Sequence, residues 1–444
     1  MTKARRDGLY LILLGTLMLL FLSVALEYSA PMSMIDFKGP YFGARCLLRH
    51  LDPYSQRNLM QVYLEERGDR TPANPPRSPQ AIALGYLPTI LPFTLPLAML
   101  SFDLSRAIWM AFILSGLSFA SFLCWSVAAE YAPVAAGFLL GFMLANSELI
   151  AFIGNPAGVA ISLCIVGVWC FVKGKYVPAG ILCFAFGLMI KPHDVCLVWL
   201  YFFLAGGTQR KRALQTLLVT VGLSLPAIVW VTEVAPDWFR ELKSTLQAFS
   251  AHGALNDPGP ASSGAHRLGM MVNLQTAISF FRDDPRFYNP FTYAICGALL
   301  LLWVFATMRT RPSPDKAWLA LAAISALTML PIYHRQLDTK LLILSVPACA
   351  MLCAEKSRTG HIAFLVTTAA FLFNGDLSWL IVLSTIGHLR IPNTAFFSHL
   401  LIAIQVFPAP LSLLAMSIFY LSVYVRYAPE VTLIEGGKTA QGEA

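Results

Sequence analysis

Long apolar runs separated by short polar breaks recur from residue 9 to residue 424. A helix needs about 20 mainly apolar residues to cross the roughly 30 Å hydrocarbon layer of a bilayer. The runs predict spans near 9–26, 84–101, 106–127, 156–172, 176–190, 194–206, 213–234, 290–308, 316–333, 340–354, 361–385 and 398–424, about twelve crossings. The stretch 132–153, "APVAAGFLLGFMLANSELIAFI", is also long enough to cross. One more crossing there would invert everything downstream. The pattern therefore predicts a re-entrant pair of short helices breaking near Asn146 and Glu148, tolerated where the break is buried or lines a cavity.

Composition supports the pattern. Hydrophobic residues make up 57% of the 444 and charged ones only 13%, far more apolar material than one soluble core needs. The expected fold is all-α, a polytopic membrane bundle in one integral unit over residues 1–430, with a disordered cytoplasmic tail at 431–444. The formal charge of +8 lies in short basic clusters between the runs: "TKARRD", Lys173 with Lys175, "TQRKR", "RTRPSPDK" and "EKSR". Such clusters set membrane orientation, so nucleic acid is not an expected partner. With the N-terminus inside, all five fall on the cytoplasmic face, and the C-terminus does too. No small-x-small cleavage site follows Ala25 to Ala30, so the first run reads as an uncleaved anchor. The nine cysteines are scattered, mostly in apolar segments, as packing residues without metal-ligand spacing or a disulfide framework.

That orientation puts loops 27–83 and 235–289 outside, with "KPHD", "YHRQLD" and "HLRIPNTAFFSH". Seven of the eight histidines then face outward, all but His361. Asp36 follows the first span directly. A partly desolvated carboxylate there can take the proton of an attacking hydroxyl, although taken alone it reads more simply as a solvated loop acid. Its context favours the base. Residues 39–50, "GPYFGARCLLRH", place Tyr41, Ala44, Leu47 and Leu48 on one helical face and Arg45 and Arg49 on another. This suits an interfacial helix, ended by "LDPYS" because Pro53 disfavours helix for the residue before it.

Lys191 and His193 suit either a phosphate contact or the snorkelling end of a span. Tyr333, His334, Arg335, Asp338 and Lys340 are polar residues packed densely between two spans, expensive beside hydrocarbon unless used. Asn374 and Asp376 interrupt an apolar run, so Asp376 is either an intramembrane acid or, if the span ends at Phe373, an exposed one. Trp109, Trp379, Tyr86 and Tyr420 read as an interfacial aromatic belt. No Walker-type or GxGxxG loop is present.

"DFKGPYFGARCLLRHLDPY" resembles the signature after the first span of glycosyltransferase family 87, the polyprenol-phosphate-mannose-dependent mannosyltransferases of the GT-C superfamily. "YLPTILPFTLPLAML", "IGNPAGVAISL", "VKGKYVPAGILCFAFGLMIKPHDVCLVWLYFF" and "YHRQLDTKLLILSVPA" are similar to later family segments in the same order, over residues 10–355. The resemblance implies a GT-C-type bundle and a sugar donor on polyprenyl phosphate. It also implies a lipid or glycan acceptor on the outer face of a bacterial inner membrane, with no cofactor and no metal. Asp36 would be the catalytic base and His334 the second polar catalytic position, with Lys191, His193, Arg335, Arg45 and Tyr41 binding the donor phosphate or the acceptor. Pro40, His50 and Asn155 depart from residues common in the family. A twelve-span transporter of a lipid-linked or small substrate is the alternative, and would show a midplane polar path and related halves. A catalytically silent lipid-glycan binder is a third reading.

Overall fold

The computed structural model describes residues 1–29, 33–67, 82–262, 271–310, 312–376, 381, 385, 402–404 and 406–426. The tail, Trp379 and the loop 388–399 lie outside the described residues. Among those described the fold is all-α, with one antiparallel bridge between Met271 and Arg335.

α1 (Lys3–Ser29) lies along α6 (Pro133–Ala145). Gly8 and Gly15 face Gly137 and Gly141 so closely that a β-carbon on any of them would run into the opposing backbone. Small residues give membrane helices this approach. Near one end of α1, Gly8 meets Pro133 and Gly137. Further along, Ser23 donates to the Glu148 carbonyl at 3.5 Å, at the start of α7 (Glu148–Phe152). α6 and α7 therefore run parallel to α1 as one broken helix. The break falls at Asn146 and Ser147 as the sequence suggested, but the segment traverses the bundle once instead of folding back.

The converse correction applies to 84–101. Only Pro88–Ala98 is helical there, ending in α4 (Leu91–Ala98). Eleven residues reach about 16 Å, and the segment packs on α2 (Ile35–Leu48) at the end of the bundle that holds Asp36. α3 (Gln56–Arg67) covers the other side of α2.

α5 (Phe102–Ala128) returns from the Arg106–Glu27 ion pair to the Arg5–Ala129 contact. α8 (Ala157–Lys173) runs the same way, ending at the Lys173–Glu130 pair. α9 (Val177–Ile190), α10 (Pro192–Leu204) and α11 (Gly207–Val234) complete the first part. The amphipathic α12 (Trp238–Phe249) and the short α13 (Leu274–Ser279) precede α14 (Pro285–Arg309) and α15 (Pro314–Leu327), which is buried from Ala317 onward. A 3-10 segment, Gln336–Ser345, continues into α16 (Val346–Ala354), followed by α17 (Arg358–Phe373) and α18 (Pro408–Arg426).

Seven helical units are long and apolar enough to cross a membrane among the described residues. Large apolar side chains such as Phe21, Leu218 and Leu301 stand exposed on α1, α11 and α14, an outer surface suited to hydrocarbon. The protein is an integral membrane protein. The basic clusters gather at one end, tied by Arg5 to Ala129, Lys173 to Glu130 and Arg212 to the Phe171 carbonyl. Asp36, Lys191 and His334 lie at the other.

Three aromatic assignments change. Trp109 is fully buried and stacks on Phe37 at 4.8 Å, and Tyr420 is buried against the Thr367 hydroxyl at 2.7 Å. Tyr86 lies near Asp36 and Lys191. None of the three is a belt residue.

Candidate active site

α2 begins earlier than the sequence suggested, so Asp36 sits in its first turn. Its backbone N–H donates to the Ile153 carbonyl at 2.9 Å and that of Met34 to Phe152 at 2.8 Å, docking the start of α2 on the end of α7. The helix is embedded in protein, with Phe37, Tyr41, Phe42, Ala44 and Leu47 buried and Leu48 and Arg49 outside. It ends at Leu48, before Pro53 is reached, and the chain turns at His50, which adopts a φ of 56°. That left-handed conformation is easiest for glycine.

Asn155 aims at Asp36. Its Oδ1 accepts the Ala157 N–H at 2.9 Å, leaving Nδ2 to donate to Asp36 Oδ2 at 2.6 Å. The preceding Gly154 has φ 67°, and a β-carbon there would meet Met34 and Phe37. Its carbonyl accepts from the Trp109 indole at 2.9 Å. Burial pushes the Asp36 carboxyl above the usual carboxylate range, opposed by Arg335, the Asn155 hydrogen bond and Lys191. A carboxylate so placed is a stronger base than a solvated one and still has positive charge nearby.

Lys191 is buried between two acids, pairing with Asp338 and lying 3.2 Å from Asp194 Oδ2. Asp194 Oδ1 in turn lies 3.2 Å from His334 Nε2 and 3.6 Å from His193 Nε2. The two imidazoles pack edge to face with centroids 5.2 Å apart. Arg335 is half-buried, donates to Asn256 Oδ1 at 2.8 Å and lies over the Tyr333 ring at 5.7 Å. Among the described residues no carboxylate pairs with its side chain, so its charge stays available. Burial raises the Tyr86 phenol and pushes that of Tyr333 up to about 12, so both are neutral hydrogen-bonding groups beside the charges.

The structure thus joins Asp36, Lys191, His193, His334 and Arg335 in one neighbourhood. Tyr41 and Arg45 form a separate knot: the Tyr41 hydroxyl donates to the Leu100 carbonyl at 2.7 Å, and Arg45 pairs with Glu66 at 2.5 Å. Asp194, Asp338 and Tyr86 belong to the site. Asp338 was marked from sequence only as one of a dense polar group, without a role; Asp194 and Tyr86 were not singled out as site residues. For Asp194 the signal was its place in "KPHD", beside residues that were chosen.

Asp376 resolves the remaining choice. α17 ends at Phe373, yet Asp376 is buried, pairing with Lys340 at 3.2 Å and accepting from Leu149 N–H at 3.2 Å. Lys340 also donates to the Asn146 carbonyl at 2.7 Å. The pair therefore satisfies backbone groups released by the break between α6 and α7.

A helical membrane bundle with a carboxylate, a guanidinium that pairs with no carboxylate among the described residues, and two imidazoles gathered at one end defines a class of membrane-embedded protein with an enzyme-like polar centre. The sequence profile of glycosyltransferase family 87 matches residues 85–332, more than half of the chain. The chain belongs to glycosyltransferase family 87 and is a membrane glycosyltransferase. No curated protein and no solved structure matches it. The matched stretch contains Asn155, Lys191, His193 and Asp194 but neither Asp36 nor His334.

Proposed function

We infer that this enzyme transfers a sugar, mannose first among candidates, from a polyprenyl phosphate donor to a hydroxyl of a lipid or glycan acceptor. The reaction takes place at the outer face of a bacterial inner membrane. Counted as passes, the seven long apolar units among the described residues and the shorter helices α8, α9, α10, α15 and α17 make twelve. As crossings they put both termini in the cytoplasm and Asp36 outside, in accord with the basic clusters.

The observation that carries the reading is Asp36 held by Asn155 beside Arg335. Asp36 removes the acceptor proton as the oxygen attacks the anomeric carbon, inverting it while the C–O bond to phosphate breaks. Arg335 stabilises the departing phosphate. His334 and His193 flank the same oxygens, while Lys191, held by its two acids, positions Asp338 and Asp194. Supporting the lipid donor, an apolar cavity of about 230 Å³ opens between α2, α4 and α11, lined by Leu47, Leu91, Leu95, Leu223, Pro226 and Trp230. Its walls suit prenyl units.

Purified protein given radiolabelled polyprenyl-phosphate mannose and membrane lipid acceptors is expected to label the acceptor. Uptake of label into proteoliposomes without any transfer would replace this reading by the transporter.

A further inference from the structure

The geometry points to a divalent cation site formed by His193, Asp194 and His334, with zinc as the preferred ion. Three observations converge on it. The ligand atoms, one from each residue, lie within 4.8 Å of one another, and two of the spacings are 3.2 and 3.6 Å. Metal–ligand bonds of about 2.0–2.1 Å at a tetrahedral centre place ligand atoms about 3.3–3.4 Å apart, so the spacing fits zinc.

The second observation is a meeting of buried polar atoms without aligned hydrogen bonds. His334 is completely buried and Asp194 nearly so. Yet among the described residues His334 Nε2 and both Asp194 carboxylate oxygens have only ion-pair contacts, with each other and with Lys191 at 3.2 Å and with His193 at 3.6 Å, and no aligned hydrogen-bond partner. Buried polar atoms without one are rare and call for a cause.

The third concerns the outer contacts. His334 Nδ1 lies 3.2 Å from the Ile332 carbonyl, which can only accept, so Nδ1 carries a proton. In the neutral ring Nε2 then presents a lone pair to Asp194 Oδ1. Two acceptors facing each other at 3.2 Å in a buried place repel unless a proton or a metal ion lies between them, and metal loading tells the two apart. Asp194 Oδ2 meets Lys191 at 3.2 Å. A backbone carbonyl behind the histidine and a charged donor behind the carboxylate are the outer partners that orient metal ligands. Two histidines and a carboxylate leave a fourth position, as catalytic zinc sites do. Its use by a donor phosphate oxygen rests on the proposed glycosyl transfer; the ion site itself does not.

The test uses the full chain in detergent, purified without a histidine tag, stripped with chelator and reloaded with ZnCl2 or CoCl2. One zinc per chain should survive gel filtration, and the cobalt form should show the intense visible bands of four-coordinate Co2+. His193→Ala, which alters the partly exposed ligand, should weaken zinc binding at least tenfold, and His334→Gln should abolish retention. Less than a tenth of an ion on the wild-type chain, a six-coordinate cobalt spectrum, or equal loading of wild type and His193→Ala would overturn the site. Because loading is read without substrate, a chain that holds zinc but transfers no sugar counts against the proposed function alone. The wild-type stoichiometry and spectrum decide the matter even where His334→Gln misfolds.

Discussion

Asn155 Nδ2 lies 2.6 Å from Asp36 Oδ2 because the other end of the same amide accepts the Ala157 N–H at the start of α8. The helix start orients the amide, and the amide orients the carboxylate. Replacing Asn155 by Asp keeps the acceptor for Ala157 but sets one carboxylate against another. That substitution is expected to raise the Asp36 pKa further and to move the acidic limb of the rate–pH profile to higher pH. Transfer at neutral pH should fall about tenfold and recover at higher pH; a parallel drop at every pH would argue against the amide's role.

Asp36→Asn should lower transfer by about 10²–10⁴, the range for a general base. Stability should move the other way. A carboxyl whose folded pKa lies above its unfolded value binds protons more tightly when folded, so the native state loses stability as pH rises through that window. Asparagine removes this penalty and can still accept from Asn155. Thermal unfolding at neutral pH is therefore expected to shift up by about 1–2 °C, and a downward shift would contradict the burial of the acid.

Arg335, whose side chain donates to Asn256 and pairs with no carboxylate among the described residues, is the proposed phosphate contact. Arg335→Gln should raise the KM for the lipid donor by about 10–100-fold, as loss of a charge-assisted hydrogen bond predicts, with less effect on the acceptor KM. Steady-state titration of each substrate separates the two.

Lys340 and Asp376 are fully buried partners at the break between α6 and α7. Lys340→Met alone strands a carboxylate and should cost about 3–5 kcal/mol, whereas pairing it with Asp376→Leu should recover much of the loss. Chemical unfolding of the single and double variants measures the difference. A double variant as unstable as the single would show that the hydrogen bonds to Asn146 and Leu149 matter more than the paired charge.

By itself the sequence determined that the chain is helical and membrane-embedded, because those properties are written in local runs of apolar residues and the basic clusters between them. It also marked Asp36, Lys191, His193, His334 and Arg335, since polar groups beside hydrocarbon stand out wherever they occur. Only the tertiary structure decided which apolar stretches traverse the bundle. The segment 133–152 does so because its glycines meet those of α1, and 88–98 does not because it is too short and lies against α2. The partnerships were equally out of reach: Asp194 lies far along the chain from His334, Lys340 from Asn146, and Asp36 from Asn155. Arg45 and Tyr41 were attractive on one helical face, but Glu66 and the Leu100 carbonyl engage them in the fold. Hydropathy is a property of neighbours in sequence, whereas a hydrogen bond or ion pair requires atoms within about 3 Å, and only packing of the whole bundle brings such atoms together.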